Sequence, residues 1–226
     1  MKEKIIGIIP ARMAASRFPG KPLKLIRGIP MLMHVYLRAS LFKAWNELIV
    51  AGCDKEIFDY CRDIKIPYIS TSKKHKRCLD RVFEAAKKIS KTKSQIKKND
   101  IIVCVQGDEP MLRPDMIDTV IKSIKKNKNA GSIVLGMFIN DKKQFIDPNI
   151  VKIIHNKNNE VLYTSRSPVP YCKVFSSKLK AKRIYGIFAF RYGFLKKFNS
   201  TKESFLERIE SCDSNRICDN FGGQFV

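Results

Sequence analysis

Three cations, Arg12, Arg17 and Lys21, stand on a run of small residues, Pro10-Ala11-Arg12-Met13-Ala14-Ala15-Ser16-Arg17-Phe18-Pro19-Gly20-Lys21. Small side chains let backbone N–H groups approach phosphate oxygens, and guanidinium and ammonium groups supply the countercharge. The bland alternative is a connecting loop whose charges are simply solvated. Much further along, Gln106-Gly107-Asp108-Glu109-Pro110 offers two adjacent carboxylates. A carboxylate there can hold Mg²⁺, which takes oxygen ligands and is commonly shared between one or two carboxylates and substrate phosphates. Asp108 or Glu109 could instead cap the next helix, but Pro110 and Pro114 place that helix start further on. Asp108 is therefore the metal candidate and Glu109 the structural one. Together the two stretches describe a nucleoside triphosphate held with its Mg²⁺. No Walker-type Lys-Ser/Thr pair is present, which excludes a P-loop NTPase. Phosphoryl transfer needs positioning and charge neutralisation more than a covalent nucleophile, so the lack of a Ser–His or Cys–His arrangement is no objection.

These residues need rigid elements to hold them. Lys4–Ile9 is a short Ile-rich run that reads as a buried strand, and the basic loop leaves its carboxyl end. Ile101–Val105 reads as another buried strand, ending at the acidic stretch. Carboxyl ends of parallel strands are where open α/β sheets bind ligands. The spacing predicts helices over Met31–Lys43, Lys55–Asp63, Leu79–Ile89 and Pro114–Lys125, alternating with strands at Leu48–Ala51 and Ile66–Ser70. That alternation predicts an α/β fold with a doubly wound, mostly parallel sheet. The second half is richer in strands (Gly131–Phe138, Ile150–His155, Val161–Thr164, Ile184–Phe190), with a turn at Asn156–Asn159 and short helices at Gly193–Phe198 and Phe205–Glu210. No repeat or linker divides the chain, so one domain, 1–226, with a strand-rich insertion is expected.

Composition narrows the class. The 226 residues are 44% hydrophobic, enough for one packed α/β domain, and 10% aromatic, which argues against disorder. No stretch is apolar enough to span a bilayer and Met1-Lys2-Glu3-Lys4 carries no signal-peptide pattern, so a cytoplasmic protein without membrane partners is expected. Seven cysteines without a Cys-x-x-Cys pair read as reduced, several of them core fillers. A formal charge of +23 invites a nucleic-acid reading. Its lysines, however, fall in runs such as Lys122, Lys125, Lys126 and Lys128 at the polar ends of helices, without interleaved aromatics. Specific nucleic-acid binding is not expected; a field that draws in a polyanionic nucleotide is.

Read as ordered motifs, the chain resembles the 3-deoxy-manno-octulosonate (Kdo) cytidylyltransferases, the CMP-Kdo synthetases, which have the nucleotide-diphospho-sugar transferase fold. Ile9–Leu23 is similar to the opening signature I-P-A-R-x-x-S-x-R-x-P-G-K-P-L. Val105–Pro110 reads V-Q-G-D-E-P. Asp147-Pro148-Asn149 with Val151-Lys152, Ser165-Arg166-Ser167-Pro168-Val169-Pro170 and Gly186–Arg191 match later motifs, and Glu207, Glu210, Ser211, Asp213 and Arg216 follow the spacing of a late helix. The resemblance implies nucleotide binding by Pro10, Ala11, Arg12, Ser16, Lys21, His75, Asp80, Arg81 and Gln106. It implies sugar binding by Gln106, Arg166, Tyr185, Glu210 and Asp213, a Mg²⁺ on Asp108, and Arg12, Lys21 and Asp108 as the catalytic set. The reaction it implies is attack by the anomeric hydroxyl of an acidic sugar on the α-phosphorus of CTP, with pyrophosphate leaving, in surface-polysaccharide synthesis. A homodimer built on the second half is implied too.

Three departures qualify it. Where the family reads H-x-S-G-T-D-R, this chain reads His75-Lys76-Arg77-Cys78-Leu79-Asp80-Arg81. The family's His two residues before the Gly of G-I-Y-A-Y-R is Ile184 here, followed by Tyr185, which leaves a related ulosonic acid open as the sugar. A closing V-D-T-P-E-D-type motif, whose Asp is the second protein ligand of the metal, does not follow Phe221-Gly222-Gly223-Gln224-Phe225-Val226. The alternative expectation is thus a shortened paralogue that binds nucleotide with little turnover.

Overall fold

The computed structural model describes residues 3–14, 18–92 and 95–226. Its framework is the predicted alternation. β1 (Ile5–Pro10) is followed by a two-residue hairpin, β2 (Leu25–Ile26) and β3 (Ile29–Pro30), and then α1 (Met31–Ser40). β4 (Glu47–Gly52), α2 (Lys55–Asp63), β5 (Tyr68–Ser70), α3 (Cys78–Thr92), β6 (Ile101–Val105) and α4 (Pro114–Lys126) complete the first half. The second half comprises β7 (Ser132–Phe138), α5 (Lys142–Ile146), β8 (Lys152–His155), β9 (Val161–Ser165), β10 (Lys182–Arg191), α6 (Tyr192–Asn199), α7 (Phe205–Glu210), α8 (Asp213–Asn220) and β11 (Gln224–Phe225).

Among the described residues one nine-stranded sheet runs β11-β7-β10-β6-β1-β4-β5, with the β8–β9 hairpin branching from β10. β1 pairs in parallel with both β4 and β6, and β4 with β5. β10 enters antiparallel between β6 and β7. The strand-rich second half therefore widens the main sheet rather than forming a separate body.

The central strands are apolar on both faces because both are covered. Ile5 and Ile9 of β1 and Val103 and Val105 of β6 pack beneath α1, α2 and α4, while Ile6, Ile8, Ile102 and Cys104 face α3, α6 and α8. α4 starts at Pro114, whose missing N–H costs nothing at the first turn, with Arg113 at its cap position; neither Asp108 nor Glu109 caps it. No described helix is long and apolar enough to cross a membrane. All seven cysteines are free. The short helix expected at Phe205–Glu210 forms over those residues as α7, ended by Ser211 in the left-handed conformation (φ 49°). The late motif residues from Glu207 to Arg216 run on into a further helix, α8, beyond those expected.

Candidate active site

β1 and β6 lie side by side in parallel, Ile8 opposite Cys104, so the loops that follow them emerge at one edge. Their approach is close: a Cβ at Gly107 would stand 2.8 Å from the Pro10 carbonyl oxygen. This brings together two residues 87 positions apart, Lys21 Nζ and Asp108 Oδ2, at 2.6 Å. Their side chains remain 30% and 39% exposed. Such an exposed pair contributes only about 0–1 kcal/mol, so a polyphosphate and a divalent cation can part it. Arg12 is exposed on the same loop. The loop is tied down by the Met13 N–H on Asp54 Oδ2 (2.9 Å) and the Gly20 N–H on the Met13 carbonyl (2.9 Å). Asp54 carried no sequence signal for this task. Pro10 has no N–H, and the Ala11 N–H donates to the Ala51 carbonyl (2.9 Å), so these two shape the loop without offering it an amide. Ser16 lies outside the described residues.

Gln106 continues from β6 toward the same edge. Its N–H donates to the Gly186 carbonyl of β10 (2.8 Å), and its Nε2 lies 3.8 Å from Cys78 Sγ at the start of α3. Among the described residues no group of three or more His, Cys, Asp or Glu forms a metal cage. At this strand edge, among the described residues, the exposed carboxylate open to a metal is that of Asp108. That donor set suits Mg²⁺, which fills its remaining positions with phosphate oxygens and water.

The other expected residues already have partners. His75 Nε2 bonds Glu84. Arg81 is 3% exposed and bonds Thr71 Oγ1, away from solvent. Asp80 pairs with Arg216 (3.3 Å), which also holds Glu207 through two bonds of 2.6 and 2.7 Å and stacks on the Phe198 ring at 4.2 Å. Glu207 is fully buried, and Arg77 reaches Glu203 at 2.8 Å beside it. This charge network ties the start of α3 to α7 and α8. A cavity of about 370 Å³ opens over it, lined by His75, Arg77, Asp80, Glu203 and Arg216 among others; Lys21 and Asp108 are not among its walls.

The expected sugar contacts are likewise engaged within the protein. Arg166 gives Nε to the Glu210 carbonyl (2.7 Å) and Nη1 to the Pro148 carbonyl (2.8 Å). The Glu210 carboxylate accepts from the Tyr163 hydroxyl, the Ser165 hydroxyl (2.8 Å) and the Arg166 N–H (2.8 Å). Burial raises its pKa, but these bonds outweigh that and hold it below the usual carboxylate range. Asp213 accepts from the Leu79 N–H (3.2 Å) and the Cys78 thiol (3.4 Å), so it caps α3; burial pushes its pKa up. Tyr185 is 5% exposed and sits in the core beneath the site, its hydroxyl beside Glu109 but outside hydrogen-bond geometry. One residue of structural weight was missed. Lys152, fully buried, donates to the carbonyls of Asp147 (2.9 Å), Ile150 (2.7 Å) and Arg166 (2.7 Å), and burial lowers its pKa. A lysine among the apolar residues of Val151-Lys152-Ile153-Ile154 was the available signal.

Comparison with known proteins places this geometry. The profile of the cytidylyltransferase family matches residues 6–221. The 3-deoxy-manno-octulosonate cytidylyltransferase of Oleidesulfovibrio alaskensis is 36% identical over 214 residues, covering 95% of this chain and 84% of that protein. The one from Thermodesulfovibrio yellowstonii is 36% identical over 220 residues, covering 95% and 86%. A solved CMP:2-keto-3-deoxy-manno-octonic acid synthetase complexed with CTP superposes with a TM-score of 0.85 at 31% identity, over 99% of this chain and 88% of that one. A 4-diphosphocytidyl-2C-methyl-D-erythritol synthase, at 14% identity and a TM-score of 0.60, shares the fold.

Proposed function

This chain belongs to the cytidylyltransferase family, and on that premise we propose that it transfers the cytidylyl group of CTP to an acidic sugar, Kdo or a related ulosonic acid, and releases pyrophosphate. The observation that carries the reading is the 2.6 Å approach of Lys21 to Asp108, a phosphate-type cation and a metal-type carboxylate at one strand edge. The anomeric hydroxyl oxygen of the sugar bonds to the α-phosphorus, its proton passing to water, as the bond from the α-phosphorus to the oxygen bridging the β-phosphate breaks and pyrophosphate leaves. Arg12 and Lys21 face the triphosphate and stabilise the charge that grows on the leaving pyrophosphate. Asp108 is the residue that would hold Mg²⁺. The ion, when bound, neutralises and orients the polyphosphate. Gln106, which follows β6 with its side chain beside Cys78 and Gly186, contacts both substrates. Arg166, Glu210 and Lys152 build the wall that the sugar acid meets, through hydrogen bonds to one another's backbone.

The reading extends to a cytoplasmic enzyme of surface-polysaccharide synthesis that works as a homodimer. Leu162, Tyr171, Val174, Phe205 and Ile209 of the second half are exposed and apolar, and a second copy would cover them. Sedimentation should give twice the 26.0 kDa chain mass; a monomer at working concentration removes that part.

Pyrophosphate release is the decisive test, with CTP, Mg²⁺ and a panel of ulosonic acids. Release that requires both CTP and one of these acids supports the proposal. Release without sugar, or equal rates with all four nucleoside triphosphates, overturns it. CTP binding without turnover on any sugar favours a nucleotide-binding paralogue.

A further inference from the structure

Glu109 has no part in that reading, yet it is built into the same strand edge. Its carboxylate reaches across to β10, where Oε1 accepts the Gly186 N–H at 3.0 Å. The Gly186 carbonyl in turn accepts the Gln106 N–H at 2.8 Å. Gly186 is thus bonded through both backbone groups to the residues that flank Gly107 and Asp108. It also lies where the pairing of β10 with β7 slips, between Tyr185 and Phe188, so the regular ladder is interrupted there.

The space around Gly186 is filled. A Cβ would stand 2.8 Å from Gln106 Cβ, 2.9 Å from Gln106 Oε1 and 2.9 Å from Glu109 Cγ, closer than carbon and oxygen pack. Only glycine lets both side chains close on this backbone. The far side is stiff as well: Tyr185 is buried in the core and the Arg183 guanidinium lies 5.5 Å from its ring centre. A half-buried carboxylate on a backbone N–H makes a strong, directional tie. Burial pushes the Glu109 pKa up, and the Gly186 N–H opposes that shift.

We propose that Glu109 and Gly186 are positioning residues that hold the Gln106 side chain in register with the strand edge and act on turnover through Gln106. This rests on the reading that Gln106 contacts the substrates. Five variants test it: Gly186→Ala, Glu109→Ala, Glu109→Gln, Gln106→Gly and the double variant Gln106→Gly/Gly186→Ala, each with its melting curve, kcat, and KM for CTP. A misplacement of the order of an ångström costs about 100-fold in rate, so Gly186→Ala and Glu109→Ala should lower kcat by about 10- to 100-fold. KM for CTP should move less than kcat does, because Arg12 and Lys21, the charged contacts to the triphosphate, are untouched and only the Gln106 contact shifts. Glu109→Gln keeps the acceptor oxygen and the volume and should restore activity to within about threefold of the parent. The double variant should be no slower than Gln106→Gly alone: the added methyl still crowds Glu109 Cγ, but no Gln106 side chain is left for Glu109 and Gly186 to position.

A fully active Gln106→Gly variant removes the underlying reading and this proposal with it. A slow Gln106→Gly variant that slows further, multiplicatively, on adding Gly186→Ala overturns the positioning role alone. So does a fully active Glu109→Ala variant. Should Gly186→Ala fail to fold, the contrast between Glu109→Ala and Glu109→Gln decides.

Discussion

The edge shared by β1 and β6 and the wall built by the second half treat charge in opposite ways. At the edge, Lys21 and Asp108 share one bond between half-exposed side chains, and Arg12 stands in solvent. In the wall, Arg216 is 4% exposed and grips a fully buried Glu207, while Arg166, Glu210 and Lys152 give their polar atoms to neighbouring backbone and side chains. Removing a charge from the wall leaves a buried partner stranded; removing one from the edge leaves only water. The contrast separates charges that shape the fold from charges available to a ligand.

The sharpest way to break this contrast is Glu207→Ala. It strands the Arg216 guanidinium with Asp80 alone and should lower unfolding free energy by about 3–5 kcal/mol in urea titrations. A loss below about 1 kcal/mol would make the wall no different from a surface pair. Asp108→Asn should do the reverse. The melting curve should stay put while Mg²⁺-dependent turnover falls by about 100-fold, because the amide keeps the shape and loses the charge. Full activity in that variant would take the edge out of the chemistry.

Lys21→Ala and Arg12→Ala should each weaken CTP binding by about 1.5–3 kcal/mol, or about 10- to 100-fold, in calorimetric titrations without changing the melt. Unchanged affinity in both would leave the loop as a mere connector. A smaller effect is set by Glu84. Burial raises its pKa, but bonds from Lys88, the Ser72 N–H and His75 hold it at about 2, against an ordinary 4.5. The stability this confers is complete above pH 4.5 and is lost as pH falls toward 2. Glu84→Gln should therefore flatten the acid limb of the stability curve between those values; an unchanged limb would count against the pairing. Smallest of all, Lys55→Ala breaks an exposed i,i+4 pair with Asp59 and should leave both melt and turnover as they were. A measurable loss there would mean that solvated pairs carry weight in this protein.

Much of the framework is legible in the chain. Ile101–Val105 is five β-branched or small apolar residues with no helical spacing, and it forms β6 over those same residues. Asn156 folds the predicted turn through its own side chain, which accepts from the N–H groups of Asn158 and Glu160. The end of α7 is legible, since the helix forms over Phe205–Glu210 as expected, but α8 is not, because Asp213–Asn220 carries only Ile217 and Cys218 as apolar residues and shows no period. Neither is α5, whose single turn is too short to show a period. The site divides in the same way. The placement of Asp108 at the strand edge is readable, because it directly follows the buried run Ile101–Val105, and it comes to lie 2.6 Å from Lys21. The roles of Arg166 and Glu210 are not, since residue type does not reveal whether a guanidinium faces a ligand or three carbonyls.

The placement of β10 against β6 sets the order in which this molecule can be finished. β6 is complete when residue 105 is made, yet the strand that covers its open side begins only at Lys182. At about 5–20 residues per second, a ribosome takes roughly 4–16 s to cross that interval. For that time five buried-type residues present unpaired N–H and C=O groups along a flat apolar edge, the kind of surface that recruits other chains. Yield on expression should therefore depend on how quickly the stretch between β6 and β10 is translated, so slow codons there would harm this protein more than slow codons after residue 191.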